Sequence, residues 1–281
     1  MINEILMESL TDEGYRPLRL KISDGNCDAA GFIDYCKGIG SSNSGGDIGS
    51  GGGSNRDGDV YCRYYKSMAE TKGKVNETNK AERMGKGVQE NIYEKKESVI
   101  KSAVIFVGGV GGGWDSPARG LYHSLSIRLS KEMGITSLRV RFRHSTDLDS
   151  SVKDVLAGIE FLTKWEKVAS IGLVGHSFGG AVVISSAALV ADAVKTIVTL
   201  STQSYGTEGI SKLREGQCTL LLIHGNNDDV LSPYCSLYVH KKAKVPKQLI
   251  IYDNASHSLD EVADKVHQKV YNWIIRNLAK G

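Results

Sequence analysis

The chain has 281 residues, 41% of them hydrophobic and 24% charged, so it can bury a sizeable core without metal or disulfide staples. A net charge of +3 is too mild for a protein organised around nucleic acid. The opening MINEILMESLTDEG is acidic where a secretory signal is basic, and no run of about 18 apolar residues predicts a membrane span. The five cysteines, Cys27, Cys36, Cys62, Cys218 and Cys235, are scattered and form no C-x-x-C pair. Neither a zinc site nor a disulfide framework is expected, and a reduced, cytoplasmic setting is.

Near the N-terminus, Leu18–Ile22 and Ala29–Tyr35 suit two short strands that could pair as a hairpin on a sheet edge. Composition then shifts. Residues 37–98 begin with a Gly, Ser, Asn and Asp tract and continue through a Lys- and Glu-rich stretch with few large apolar residues. Such composition does not offset the entropy of ordering, which predicts a flexible insertion. The reading is one domain interrupted: residues 1–36 as its first strands, 37–98 as the insertion, and 99–281 as the catalytic core.

From Ala103 onward strands alternate with helices. Ala103–Val107 is an apolar run ending in glycines. Ser116-Pro117 pairs an N-cap residue with a proline suited to the first helical turn, and Leu121, Leu125, Leu129 and Met133 form the apolar face behind it. Ser137–Phe142 is the next strand. Ser151-x-x-Asp154 then resembles a capping box before a helix carrying Val152, Val155, Leu156, Ile159 and Leu162. Strands follow at Ser170–Val174, Val194–Leu200, Cys218–Ile223 and Gln248–Tyr252. The first of these runs into a helix over Phe178–Val190, and a last helix begins at Ser258-x-x-Glu261. This alternation predicts an α/β fold: a mostly parallel central sheet with helices on both faces.

The chemistry is carried by Gly175-His176-Ser177-Phe178-Gly179, a G-x-S-x-G placed between an apolar strand and an apolar helix. That setting is a nucleophile elbow, whose sharp turn needs small neighbours at Gly175, Gly179 and Gly180. A serine hydroxyl is a poor nucleophile at neutral pH and needs a base, itself oriented by an acid. Asp228 or Asp229 follows the strand TLLLI, and His257 follows the strand QLIIY, in the chain order this architecture requires. Rival bases are weaker. His224 ends a strand and is expected to hold the acid-bearing loop. His176 flanks the serine but points away from it. His123, His240 and His267 sit on predicted helices, and His144 has no obvious acidic orienter. For the oxyanion, the N–H of Phe178 and one from the glycine-rich loop Gly108–Trp114 are expected, with Val110 favoured and Gly109 close behind. That loop lacks the G-K-[ST] ending of a phosphate-cradling loop.

The pieces VGGVGGGWDSP, GHSFGG, LIHGNNDDVLSP and NASHSLDE resemble those of the α/β-hydrolase superfamily, within it the small dienelactone-hydrolase-like group. The resemblance covers about two-thirds of the chain, from Ala103 to the end. It implies the α/β-hydrolase fold, and its H-G-x-x-D pattern selects Asp228 over Asp229. One departure is that true dienelactone hydrolases use a cysteine nucleophile where this chain has Ser177. Ordinary ester or thioester hydrolysis by a serine hydrolase is therefore expected, with Ser177, Asp228 and His257 as the triad. No cofactor or metal is called for, and the partner is a small-molecule substrate, not nucleic acid or membrane. The motifs carry no information on oligomeric state. Alternatives are a peptidase or acyltransferase of the same fold, or a non-catalytic hydrolase-like binding protein, although such proteins usually lose a triad member.

Between Leu200 and Cys218 there is room for one short helix and no cap domain. An open site is expected, shaped by Trp114, the Gln203–Tyr205 turn and the Asn226–Asn227 loop. Arg141, Arg143 and His144 leave the neighbouring strand end, where they would either favour an acidic substrate or tie down helix ends and acidic side chains.

Overall fold

The computed structural model describes residues 2–22, 58–68, 100–190 and 192–279. Nine strands form one sheet among these residues: β1 (Ile2–Met7), β2 (Arg16–Ile22), β3 (Asp59–Tyr65), β4 (Ser102–Val107), β5 (Thr136–Arg141), β6 (Ser170–His176), β7 (Val194–Leu200), β8 (Thr219–Gly225) and β9 (Lys247–Tyr252). Their order is β1-β2-β3-β5-β4-β6-β7-β8-β9. The first four in that order pair antiparallel, and β5-β4-β6-β7-β8-β9 are parallel. Five α-helices accompany them: α1 (Pro117–Glu132), α2 (Leu148–Glu160), α3 (Phe178–Leu189), α4 (Tyr234–Lys242) and α5 (Ala263–Leu278).

The period-two alternation of the strands divides the core in two. In β4, Ala103, Ile105 and Val107 face one side with Val155 of α2, Val182 of α3 and Val239 of α4. Val104 and Phe106 face the other with Leu121 of α1 and Val266 of α5. Each fully buried Leu, Ile, Val or Phe here contributes about 1.5–3 kcal/mol relative to exposure. Both faces of the parallel strands are therefore covered, which is why their sequences read as near-continuous apolar runs. The segment between β7 and β8 holds only a short 3-10 turn, Glu208–Lys212, so no cap domain covers this part of the sheet.

Several sequence expectations are corrected. The strand β3 lies inside the stretch read as a flexible insertion, between β2 and β5, and its Val60, Cys62 and Tyr64 are fully buried. Seven residues of alternation were diluted by the polar tracts around them, and only pairing on both sides buries them. The expected strand at residues 29–35 lies outside the described residues, as does most of the rest of 37–98. The strand β1, which no pattern announced, is a half-exposed edge. The cap of α2 is Asp147, whose side chain accepts from the Ser150 N–H, in place of Ser151. In α1, Ala118, Arg119 and Gly120 have positive φ, so regular helix begins after them. Their backbone is turned elsewhere: the Ala118 N–H donates to the Ser258 carbonyl (2.7 Å) and the Arg119 N–H to Asp260 (2.9 Å).

Candidate active site

The strand β6 ends at His176, and Ser177 stands between it and α3 with φ 56° and ψ −119°. This backbone region is strained for a residue with a side chain, at a cost of about 1–3 kcal/mol. The surroundings hold it there. The Ser177 N–H donates to the Leu200 carbonyl of β7 (2.9 Å), and its own carbonyl accepts from the Gly180 N–H (3.0 Å). Side chains are forbidden at the flanking positions, as the motif implied. A Cβ on Gly175 would overlap the Gly179 carbonyl, and one on Gly179 would overlap the Gly108 carbonyl. The Ser177 side chain makes no capping hydrogen bond to α3.

The loop after β8 carries Asp228, whose side chain is fully buried. One carboxylate oxygen accepts from the Val230 and Leu231 N–H groups (2.9 and 2.8 Å). The other meets His257 Nδ1 at 2.7 Å and His224 Nε2 at 3.0 Å. Burial acts to raise the carboxyl pKa, yet the Leu231 N–H and His257, with the Val230 N–H, together hold it below the ordinary value. Asp229, the neighbouring candidate, is exposed. The loop after β9 carries His257, whose ring shows Nδ1 to Asp228 and so turns Nε2 the opposite way. His224 is entirely buried. It bonds Ser236 Oγ (2.7 Å) through Nδ1 and the Leu231 carbonyl (2.9 Å) through Nε2, and so braces the acid loop as expected. Desolvation lowers its pKa. Thus Ser177, Asp228 and His257 stand in the loops at the carboxyl ends of three parallel strands, β6, β8 and β9, the rim where open α/β sheets bind ligands.

A sequence model of the dienelactone hydrolase family matches residues 131–272, half of the chain. The chain belongs to the dienelactone hydrolase family. Membership places it among the hydrolases, acting on a small-molecule substrate. Solved structures agree on the α/β-hydrolase fold. Est1E from Butyrivibrio proteoclasticus is similar over 80% of this chain and 98% of its own, at 17% identity and a TM-score of 0.60. A dienelactone hydrolase from Anabaena variabilis is similar over 79% and 94%, at 16% identity and a TM-score of 0.59. XC6422 from Xanthomonas campestris, an α/β serine hydrolase without a lid, is similar over 80% and 92%, at 16% identity and a TM-score of 0.55. A search by sequence among curated proteins gave no match.

In this dienelactone hydrolase family member the glycine-rich loop lies directly over the elbow. A Cβ added to Gly109 would stand 3.3 Å from the Ser177 Cβ. The loop is fixed by Ser145 Oγ, which donates to the Val110 carbonyl (2.7 Å), and by a turn in which the Gly112 N–H donates to the Gly109 carbonyl (3.2 Å). The Asp115 carboxyl lies below its ordinary pKa, chiefly through His176, with the Ser116 and Gly109 N–H groups adding to the effect. Phe178 opens α3, so its N–H has no acceptor within the helix, and its ring packs edge-on against Phe142.

The residues expected to shape the substrate site fall in different settings. The Trp114 ring stacks on the guanidinium of Arg63 (4.5 Å), and its carbonyl accepts from Arg139 Nη2 (2.8 Å), which anchors it toward the antiparallel side of the sheet. Gln203 Nε2 donates to the Tyr205 carbonyl (2.9 Å), and the Tyr205 ring is 71% exposed. Asn226 proves to be a staple: it bonds Asp253 (2.9 Å) and the Asn254 N–H (2.8 Å), joining the acid loop to the base loop. Arg143 does not face an acidic substrate. Its Nε meets Asp154 of α2 at 2.6 Å, with the two side chains 5% and 0% exposed. Sequence reasoning missed Ser145, which no motif marks, and Asn226 in this role, since its two partners lie a whole strand–helix unit away.

Proposed function

We propose that this hydrolase cleaves carboxylic esters or thioesters through an acyl-enzyme on Ser177. The observation that carries the reading is the 2.7 Å bond between His257 Nδ1 and a fully buried Asp228 carboxylate, on the same rim of the parallel sheet as a serine held at φ 56° in an elbow. The bond sets the imidazole tautomer with Nε2 as the free base. Ser177 Oγ attacks the substrate carbonyl while His257 Nε2 takes its proton. The oxyanion is stabilised by the Phe178 and Val110 N–H groups, with the Gly109 N–H as the alternative second donor. The carbon–oxygen or carbon–sulfur bond to the leaving group breaks as His257 returns the proton to it. Water, deprotonated by the same nitrogen, then attacks the acyl-enzyme, and the carboxylic acid leaves as Ser177 recovers its proton. Trp114, Gln203 and Tyr205 border the approach. A reduced, cytoplasmic setting fits the free thiols of Cys62, Cys218 and Cys235.

The test is hydrolysis of p-nitrophenyl acetate together with labelling by a fluorophosphonate. Wild type is expected to hydrolyse the ester and to take the label on Ser177, and Ser177→Ala to lose both. Label retained by Ser177→Ala on another residue would overturn the assignment.

A further inference from the structure

The residue immediately before Ser177 is assigned no part in the mechanism above, yet its ring packs against that of the proposed base. His176 is 6% exposed. Its Nε2 is 3.1 Å from the backbone carbonyl of His257, across 81 residues of sequence, and the two imidazole rings are 4.8 Å apart. A carbonyl oxygen only accepts, so the Nε2 must carry the proton. The other nitrogen, Nδ1, is buried without a hydrogen bond among the described residues, and the Asp115 carboxylate beyond the oxyanion loop stands 3.8 Å from it. A Cβ on Gly109 would come within 3.6 Å of that same nitrogen. One ring thus stands next to three parts of the site: the elbow through the chain, the oxyanion loop at Gly109 and Asp115, and the His257 loop through a hydrogen bond.

We propose that His176 is a positioning residue: its Nε2–H holds the His257 backbone at the height where the imidazole can serve Ser177. The inference rests on the triad reading above. The need for such a tie follows from the geometry of the His257 loop. Asp228 grips only the far nitrogen of the ring, which leaves the ring free to tilt about that bond. Asn254, three residues before His257, has φ 57°, and Leu259, two residues after it, has φ 62°. Both of these non-glycine residues sit in the left-handed region, so the loop is sharply bent on each side of the base. Among the described residues, the His176 bond is the one hydrogen bond that ties the His257 backbone itself to the strand carrying the nucleophile. Because the tie acts on the backbone and not on substrate, its loss should lower kcat and leave KM nearly unchanged.

The experiment compares His176→Leu, which fills the volume without a donor, with His176→Gln, whose amide nitrogen reaches about as far as Nε2, and His176→Asn, whose amide nitrogen reaches only as far as Nδ1. Each is assayed in the full chain with p-nitrophenyl acetate, and its Tm is measured. Wild-type labelling at Ser177 by a fluorophosphonate checks the triad separately, so failure there is distinguishable from failure here. A displacement of the base by about 1 Å costs up to about 100-fold in rate. His176→Leu and His176→Asn are therefore expected to lose roughly 10- to 100-fold in kcat with KM within about twofold. His176→Gln is expected to stay within about fivefold of wild type. Equal kcat in wild type and His176→Leu would overturn the proposal, as would equal losses in the Gln and Leu variants. If the Leu variant does not fold, the Gln and Asn pair decides: Gln active and Asn impaired supports the proposal, and the two alike overturns it.

Discussion

Replacing Asp228 by Asn tests the triad reading at its most constrained atom. The side chain is fully buried and meets four groups: it accepts from two backbone N–H groups on one oxygen, and on the other it bonds His257 Nδ1 (2.7 Å) with His224 Nε2 at 3.0 Å. An asparagine keeps the first oxygen and its two N–H partners. At the second position it presents an NH2 group to His257. The imidazole must then offer Nδ1 as a lone pair, which moves its proton to Nε2, the atom that has to accept the Ser177 proton. The wrong tautomer in a serine triad costs about 10⁴-fold in kcat, or about 5.4 kcal/mol on the barrier. Asp228 does not reach substrate in this scheme, so KM should change little. The assay is steady-state hydrolysis of p-nitrophenyl acetate, with the rate of fluorophosphonate labelling as a second measure of nucleophilicity and Tm as a check on folding. Asp229→Asn is the control: that residue is exposed, and its variant should stay within about threefold. An Asp228→Asn enzyme that keeps more than about a tenth of wild-type kcat would refute the reasoning, given the size of the tautomer penalty.

Two further outcomes follow from the buried charges. Arg143→Met leaves the Asp154 carboxylate without its guanidinium partner inside the core, a loss of about 3–5 kcal/mol, or roughly 5–10 °C in Tm for a chain of this size. Arg143→Met combined with Asp154→Leu should recover most of that loss in a thermal melt. A double variant no more stable than the single would contradict the account of the pair. The Asp228 carboxyl has a lower pKa in the folded chain than its ordinary value. Its contribution is therefore complete above the unfolded pKa of about 4 and is lost as pH falls through the folded value. In urea melts from pH 6 to pH 3, the stability gap between wild type and Asp228→Asn should narrow on acidification. A gap independent of pH would contradict the shift.

What the linear sequence determines here is whatever repeats at short range. The apolar runs of β4, β6, β7 and β8 are legible because both faces of a parallel sheet are buried, so each residue independently has to be apolar. The elbow is legible because its turn excludes side chains at Gly175 and Gly179 within four positions of each other. The order serine, acid, histidine is legible because each must follow a strand end. Tertiary structure alone decides the remainder. β3 is buried because β2 and β5 flank it, not because its own neighbours in sequence are apolar. Arg143 is committed to Asp154 because α2 packs where its side chain points, and nothing local distinguishes that partner from an anionic substrate. His176 reads as a bystander in its turn until the loop after β9 folds over it, since a hydrogen bond to a backbone carbonyl leaves no trace in the identity of the residue that accepts it.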